Sequence, residues 1–105
     1  TIVPGPEASY ASIDGAWLNQ EPYFAFHRVC VEESMKGRGL AARLFSEAEQ
    51  YVLKTGVRNI RIDTHPDNQA MQRALAKSGY ICCGTLVLTE GSEAGDLRVG
   101  YQKVI

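Results

Sequence analysis

Residues 33–43 read ESMKGRGLAAR, a glycine-rich and basic stretch between an apolar, β-branched segment and an amphipathic helical pattern. The N-terminus of a helix leaves several backbone N–H groups without partners and carries the positive end of the helix dipole, about half a unit charge. Gly37 and Gly39 have no Cβ atom, so the backbone of this turn can approach an anion closely. The stretch is therefore predicted to bind a phosphate-containing ligand.

The chain after residue 21 is predicted to fold in the order strand, helix, strand, helix, strand, strand. Strands are predicted from β-branched and aromatic runs, helices from apolar residues at helical spacing, and the last two strands from the polar linker between them, which is typical of a hairpin. The parallel pairing that a βαβ unit requires makes the sheet mixed. The predicted strands are 22–31, 57–64, 80–89 and 97–105; the first helix spans 40–54, and the second carries Met71, Ala74 and Leu75 and stops at Gly79.

The first predicted helix carries an apolar stripe that should face the sheet. Its end is predicted at Gly56, and Asp67 or Asn68 is predicted to cap the second helix. Residues 1–21 are rich in turn formers and are predicted to be mostly loop, with one helical turn between Tyr10 and Leu18. The stripe consists of Leu40, Ala41, Leu44, Phe45, Ala48, Tyr51 and Val52.

Composition narrows the classes of protein to which the chain can belong. With 105 residues, a net charge of -1 and a pI near 6.1, it is predicted to be one domain without the basic surface of a nucleic-acid binder. The sequence has no apolar run of membrane-spanning length and no signal-peptide pattern, so we predict a cytoplasmic protein without membrane partners. Cys30, Cys82 and Cys83 lack CxxC spacing and are predicted to be buried thiols, with no metal site.

Lys36–Ala41 is similar to the pyrophosphate-binding signature Gln/Arg-x-x-Gly-x-Gly/Ala of the GNAT superfamily of N-acetyltransferases. Asn68 and the Gly79–Tyr80 pair resemble the later Asn…Gly-Phe segment of that family. The resemblance covers residues 27–105. It implies an α/β fold with a mixed sheet in β-α-β-α-β-β order. The layers of this fold resemble those of an α+β sandwich. It also implies acetyl-coenzyme A as co-substrate and no metal.

The family resemblance implies a set of cofactor-binding residues. Backbone N–H groups from Gly37 to Ala41 would hold the pyrophosphate, with Lys36 and Arg38 adding charge-assisted contacts. The pantetheine arm would pair with the strand before the turn, where a backbone N–H would polarise the thioester carbonyl. The implied residues are Val29, Cys30, Val31, Lys36, Gly37, Arg38, Gly39, Leu40, Ala41 and Asn68.

The sequence departs from the family pattern at two positions. Lys36 stands where the family prefers glutamine or arginine, and it keeps the positive charge without the forked donors of arginine. Leu75 stands where many members carry a tyrosine that acts as general acid. The titratable residues near strand ends are His27, Asp63, His65 and Tyr101, among which His27 and Tyr101 are the catalytic candidates.

The segment before residue 22 is too short to hold the strands and helices that line the acceptor site in the family. We therefore predict a single domain over 1–105, truncated at its N-terminus, with 1–21 mostly loop and 22–105 forming the coenzyme-binding core. Activity of this segment alone is expected to be low. Exposed sheet edges would favour a homodimer.

The predicted function is transfer of acetyl from acetyl-coenzyme A to a primary amine, on a small molecule or a peptide, by direct attack. One alternative is a non-catalytic module that binds acyl-coenzyme A or assembles with a partner. A second is a dinucleotide-binding domain, since residues 37–42 also satisfy Gly-x-Gly-x-x-Gly/Ala and Asp63 lies at a strand end. Release of free thiol, saturable binding without release, and affinity for NAD would distinguish the three.

Overall fold

A computed structural model describes residues 2–6, 8–11, 13–26, 40–89 and 94–105, without the side chains of 40–42. Its described part contains six strands and three helices. The strands are β1 (Ile2–Pro4), β2 (Asp14–Gly15), β3 (Phe24–Phe26), β4 (Asn59–Thr64), β5 (Ile81–Val87) and β6 (Leu97–Val104). The helices are α1 (Ala8–Ala11), α2 (Leu40–Lys54) and α3 (Gln69–Lys77).

All six strands form one sheet in the order β1-β3-β4-β6-β5-β2. Strands β3 and β4 pair in parallel, through Phe24↔Ile60 and Ala25↔Arg61, with α2 as the crossover between them. The other neighbours pair antiparallel, including the β5–β6 hairpin. The predicted mixed sheet and the β-α-β-α-β-β order after residue 21 are therefore confirmed.

One face of the sheet packs against α2 and α3. Phe45 and Val52 of α2 and Leu75 of α3 are completely buried there, against Ile60 and Ile62 of β4. Alternation along each strand explains the choice of face, because successive side chains point to opposite sides. Burying each of these aliphatic or aromatic side chains contributes about 1.5–3 kcal/mol.

The opposite face is covered by the N-terminal segment, which forms more regular structure than the sequence indicated. The segment contributes both edge strands of the sheet, β1 and β2, in addition to helix α1. The predicted helical turn exists, but it lies at Ala8–Ala11 rather than between Tyr10 and Leu18. Tyr10 and Trp17 anchor the segment in a second apolar cluster with Tyr23, Ala25, Cys83 and Leu86.

A buried amide network ties the N-terminal segment to the central strands. Gln102 on β6 has no exposed surface; its Oε1 accepts the Leu18 N–H at 3.1 Å and its Nε2 donates to Asn59 Oδ1 at 3.0 Å. Asn19 Nδ2 also donates to Asn59 Oδ1, at 2.9 Å. Each of these groups is polar and buried or half-buried, so the hydrogen bonds offset its loss of water contacts.

Two predictions about burial need correction. Leu44 and Tyr51 of the predicted stripe on α2 are exposed, by 37% and 53%. Tyr51 reaches only the edge of the core, in an edge-on contact with Phe24 6.0 Å between ring centroids. Cys83 is buried as predicted, but Cys82 is exposed, because successive side chains of β5 point to opposite faces and only Cys83 enters the second apolar cluster. Cys30 lies outside the described residues.

Replacing Lys103 with methionine is expected to lower the free energy of unfolding by about 1–2 kcal/mol. Lys103 Nζ donates to Glu49 Oε1 at 2.6 Å and to the Ser78 carbonyl at 2.8 Å, so it joins β6 to α2 and to the end of α3. Both side chains of the ion pair are mostly buried. Urea unfolding of Lys103→Met, Glu49→Gln and the double variant measures the coupling. Additive losses would show that the ion pair contributes nothing.

Candidate active site

The carboxyl ends of the parallel strands β3 and β4 lie along one edge of the sheet, and both long helices begin at this edge. Because β3 and β4 run parallel and α2 and α3 follow them, the N-termini of the two helices lie at the carboxyl ends of these strands. Each helix N-terminus adds positive potential and N–H donors that no intrahelical carbonyl uses. This edge can therefore receive a phosphate-bearing ligand.

Most of the predicted cofactor-binding residues, and the catalytic candidate His27, lie outside the described residues. These are His27, Val29, Cys30, Val31, Lys36, Gly37, Arg38 and Gly39. The backbone of Leu40 and Ala41 forms the start of α2, where the sequence placed the end of the phosphate-binding turn. The roles of all these residues stay predictions.

Asn68 caps α3, as the sequence predicted. Its Oδ1 accepts the Met71 N–H at 3.1 Å. The preceding turn is closed by the Asp67 N–H, which donates to His65 Nδ1 at 3.1 Å. Asn68 therefore lies at the helix N-terminus at the candidate edge, and its exposed amide can also reach a ligand there.

Tyr101 lies on β6, between β4 and β5 in the sheet, and its side chain is buried in the core that faces α2 and α3. Its hydroxyl donates to Gln72 Oε1 at 3.0 Å, and Gln72 Nε2 donates to the Pro66 carbonyl at 2.7 Å. Burial raises the pKa of Tyr101. The phenol thus joins β6 to α3, and Gln72 joins α3 to the turn that precedes it. Tyr101 therefore has a structural role, and its predicted catalytic role stays a prediction.

Leu75, at the position of the family's tyrosine acid, is completely buried in the core between the sheet and the helices. An aliphatic side chain there can neither donate nor accept a proton. Any proton transfer in the reaction must therefore involve other residues or water.

Alternation along β4 places Arg61 and Asp63 on the face covered by the N-terminal segment. The Arg61 guanidinium lies over the rings of Trp17 and Tyr23, 4.5 and 4.1 Å from their centroids. Arg61 Nη2 donates to the Asn19 carbonyl at 2.7 Å, and burial lowers the pKa of Arg61. No motif in the sequence singles out this arginine, although the pattern of residues 59–64, NIRIDT, already puts it on the same face as Asp63.

Asp63 is half-buried near the carboxyl end of β4. Its Oδ2 accepts a hydrogen bond of 2.6 Å from the hydroxyl of Tyr10, which is 1% exposed. Sequence reasoning named Asp63 as one of several titratable residues and missed Tyr10, because contact across 53 positions leaves no local signal. The structure thus brings a carboxylate and a phenol together at the edge where the helices begin.

Among the described residues, no group of three or more metal-ligating side chains is close enough to hold an ion. None of the helices in this part of the chain is both long and apolar enough to cross a membrane. The sheet also differs from a doubly wound dinucleotide-binding sheet, since β4 has the antiparallel β6 beside it where a third parallel strand would be needed.

Comparisons with solved structures give the same fold. A GNAT-family acetyltransferase from Streptococcus agalactiae is 31% identical over 99% of this chain, with a TM-score of 0.79. A protein from Agrobacterium tumefaciens assigned as an acetyltransferase is 25% identical over 79% of the chain and 57% of its own, with a TM-score of 0.62. The microcin C7 self-immunity acetyltransferase MccE, solved with acetyl-CoA and AMP, is 16% identical over 80% of the chain and 46% of its own, with a TM-score of 0.59, and shows the fold alone.

This chain spans 56% of the length of the Streptococcus protein, so it matches somewhat more than half of that relative. A comparison with curated proteins gave no match. The sequence model of the acetyltransferase (GNAT) family matches residues 8–80, which is more than half of the chain and includes both the predicted phosphate-binding turn and the cap of α3. The chain therefore belongs to the GNAT family of acetyltransferases.

Proposed function

We propose that the protein binds acetyl-coenzyme A and transfers its acetyl group to a primary amine. The observation that carries this proposal is the family match over residues 8–80, which spans a glycine-rich, basic segment leading directly into α2. The N-termini of α2 and α3 at one sheet edge supply the donors and the positive potential that a pyrophosphate requires. The MccE structure, with acetyl-CoA bound, provides a precedent for that co-substrate on this fold.

The proposed reaction is direct attack of the neutral amine on the thioester carbonyl. The nitrogen forms a bond to the carbonyl carbon, the bond from carbon to sulfur breaks, and the departing thiolate takes up the proton that the nitrogen loses. The conjugate thiol has a pKa near ~8.5 by analogy with cysteine, so this leaving group departs without strong acid catalysis. Leu75 in place of a tyrosine acid is compatible with such a mechanism.

Replacing Gly39 with glutamate is expected to weaken acetyl-coenzyme A binding at least about 100-fold, because a carboxylate in the predicted turn would repel the pyrophosphate. Calorimetric titration of the wild type and the variant measures the change. Ser46→Glu is the matched control, since it adds the same charge to an exposed position of α2. Equal affinity of wild type and Gly39→Glu would contradict the proposed site, and wild-type binding of NAD instead would contradict the proposed ligand.

Turnover is tested separately from binding, by measuring the release of free thiol in the presence of amines. Saturable binding of acetyl-coenzyme A without thiol release would support the non-catalytic module instead. The acceptor, whether small molecule or peptide, and the absence of nucleic-acid and membrane partners are also part of the proposal. So are a cytoplasmic location and a homodimer through the sheet edges, which the short strands β1 and β2 form.

The domain boundaries stay predictions as well. We propose one domain over residues 1–105 whose coenzyme-binding core is 22–105. The acceptor half of the site would then need residues beyond those of this core. The N-terminal segment that packs against the second face of the sheet is the part of the described chain best placed to contribute them.

A further inference from the structure

We infer that Asp63 is the general base that takes the proton from the ammonium group of the acceptor. This inference rests on the proposed N-acetyltransferase function and adds to it the residue that recognises the cationic acceptor. It starts from three residues of β4, Asn59, Arg61 and Asp63, which share the face opposite α2 and α3. Arg61 and Asp63 carry opposite charges and are separated by one residue of the strand.

Arg61 and Asp63 do not neutralise each other. No ion pair joins these two described side chains. The Arg61 guanidinium instead lies over the aromatic faces of Trp17 and Tyr23, and its Nη2 donates to the Asn19 carbonyl. The positive charge of Arg61 is thus held within the aromatic cluster, and the carboxylate of Asp63 is left for another cation.

The Asp63 carboxylate is oriented through one of its two oxygens, as far as the described residues show. Tyr10 donates to Oδ2 at 2.6 Å and is itself fixed by packing against Trp17 and Tyr23, with ring centroids 5.2 and 6.1 Å away. Within the described ranges, Tyr10 is the hydrogen-bond partner that the structure gives to this side chain, and Oδ1 is left to accept from a ligand. A half-buried carboxylate held by a buried phenol is a positioned acceptor rather than a solvated surface charge.

Several charged or titratable groups lie on the strands and loops beside Asp63. Its cross-strand partner on β6 is Gly100, which has no side chain. Arg98, two residues along β6 on the same face by alternation, lies 3.6 Å from the carboxylate of Asp96. His65, beyond the end of β4, accepts from the Asp67 N–H. Tyr10, Arg61 and the Cys83 thiol, which lies in the second apolar cluster with Tyr10, are further titratable or charged groups on this face of the sheet.

Asp63 lies near the place where the thioester is proposed to bind. Asp63 is the residue before the last in β4, so it lies at the carboxyl end of the strand, near the edge at which α2 and α3 begin. An amine that reaches a thioester bound at this edge from the second face of the sheet would meet the Asp63 carboxylate. The N-terminal segment, through Tyr10, would form the wall of that approach.

The chemistry balances without a further co-reactant. The ammonium group of the acceptor gives one proton to the Asp63 carboxylate, and the resulting neutral amine attacks the carbonyl carbon. As the bond from carbon to sulfur breaks, the second proton leaves the nitrogen for the thiolate, and Asp63 later returns its proton to water.

The test is the pH dependence of kcat/KM for the full chain and its Asp63→Asn variant. The amine probes are spermidine, glucosamine, phenylethylamine and a lysine-containing peptide, and the profile is measured with the best of them. If Asp63 takes the proton, the predominant ammonium form is the productive substrate, and the wild-type profile is flat between pH 6 and 9. The variant can use only the neutral form of the amine. For an amine of pKa near ~10, this form is about one molecule in a thousand at pH 7.

For Asp63→Asn we therefore expect a loss of about 100-fold in kcat/KM at pH 7, with a tenfold recovery per pH unit as the amine loses its proton. Asparagine keeps an oxygen that can accept from Tyr10, so the fold should survive. Asp63→Glu, which keeps a carboxylate, should show a reduced but flat profile. Asp67→Asn is the matched control, since that carboxylate is 93% exposed, and it should behave like the wild type.

Parallel profiles of wild type and Asp63→Asn, at any level of activity, would overturn the inference and leave Asp63 as the group that docks Tyr10. A wild-type chain that binds acetyl-coenzyme A but acetylates none of the four probes would instead contradict the proposed function, and the inference with it. The two failures are thus distinguishable, because only the second abolishes wild-type turnover.

Discussion

Replacing Gly84 with alanine is expected to lower the free energy of unfolding by about 3 kcal/mol or more. Gly84 has φ of 141°, a backbone conformation that residues with a side chain rarely adopt. A Cβ atom at this position would lie 2.3 Å from the Asp14 carbonyl oxygen and 3.0 Å from the Cα of Gly15. Both neighbours are backbone atoms of β2, so the clash cannot be relieved by turning a side chain.

The expected damage extends beyond one residue, because Gly84 is the point where β2 joins the sheet. Its register partners are Gly15 on β2 and Gly100 on β6. Pushing β2 away would break the hydrogen bond from the Ala16 N–H to the Cys83 carbonyl at 3.1 Å. Trp17 follows directly in the chain and packs in the second apolar cluster, so its burial should suffer as well.

Urea unfolding followed by tryptophan fluorescence measures this loss, since Trp17 is the single tryptophan of the chain. Gly56→Ala is the matched control. Gly56 also has a positive φ, 89°, but a Cβ atom there would have no atom within 4 Å. The control should cost only the backbone strain, about 1 kcal/mol. Equal losses in the two variants would show that the close approach of β2 does not constrain Gly84.

The central elements could be predicted from the sequence because their signals are local. Apolar spacing over fifteen residues predicted α2, and the alternating run at 57–64 predicted β4. Neither edge strand was predicted. β1 has three residues and β2 has two, and both exist only because β3 and β5 offer them a partner. Strands of this length carry too little periodicity to be recognised.

The difference between predicted and observed site has a similar cause. The glycine-rich turn and the cap of α3 are short motifs, so their residues could be named from the sequence. The contact of Tyr10 with Asp63 and the packing of Arg61 against Trp17 depend on how the N-terminal segment folds back across the sheet. Helical spacing likewise predicted Tyr51 to be in the core, whereas its side chain is exposed. The spacing shows which side of the helix faces the sheet, but it does not show how far the sheet extends beneath that side.

Arg61→Ala is expected to lower the free energy of unfolding by about 2–4 kcal/mol. Arg61 is 5% exposed, and the ion pairs that the structure gives among the described residues do not include it. Its charge is stabilised by two aromatic rings and by the hydrogen bond to the Asn19 carbonyl. Truncation would remove the guanidinium from the faces of Trp17 and Tyr23 and would leave the Asn19 carbonyl without this donor.

A second substitution separates the packing of Arg61 from its charge. Methionine fills much of the same volume but has no charge and no N–H, so Arg61→Met should lose only about 1–2 kcal/mol. Desolvation lowers the pKa of Arg61, which shows that burial opposes the charged form, and Nε has no hydrogen-bond partner among the described residues. The interactions of the guanidinium with the rings and with Asn19 must exceed this penalty for methionine to be the less stable choice.

Chemical unfolding of Arg61→Ala, Arg61→Met and Arg61→Lys, with the exposed Arg73→Ala as control, decides between these contributions. We expect the control to stay within about 0.5 kcal/mol of the wild type. A methionine variant more stable than the wild type would mean that the desolvation of Arg61 outweighs its contacts. The arginine would then be present at a cost in stability, which is the pattern expected where a buried charge serves the site beside Asp63 rather than the fold.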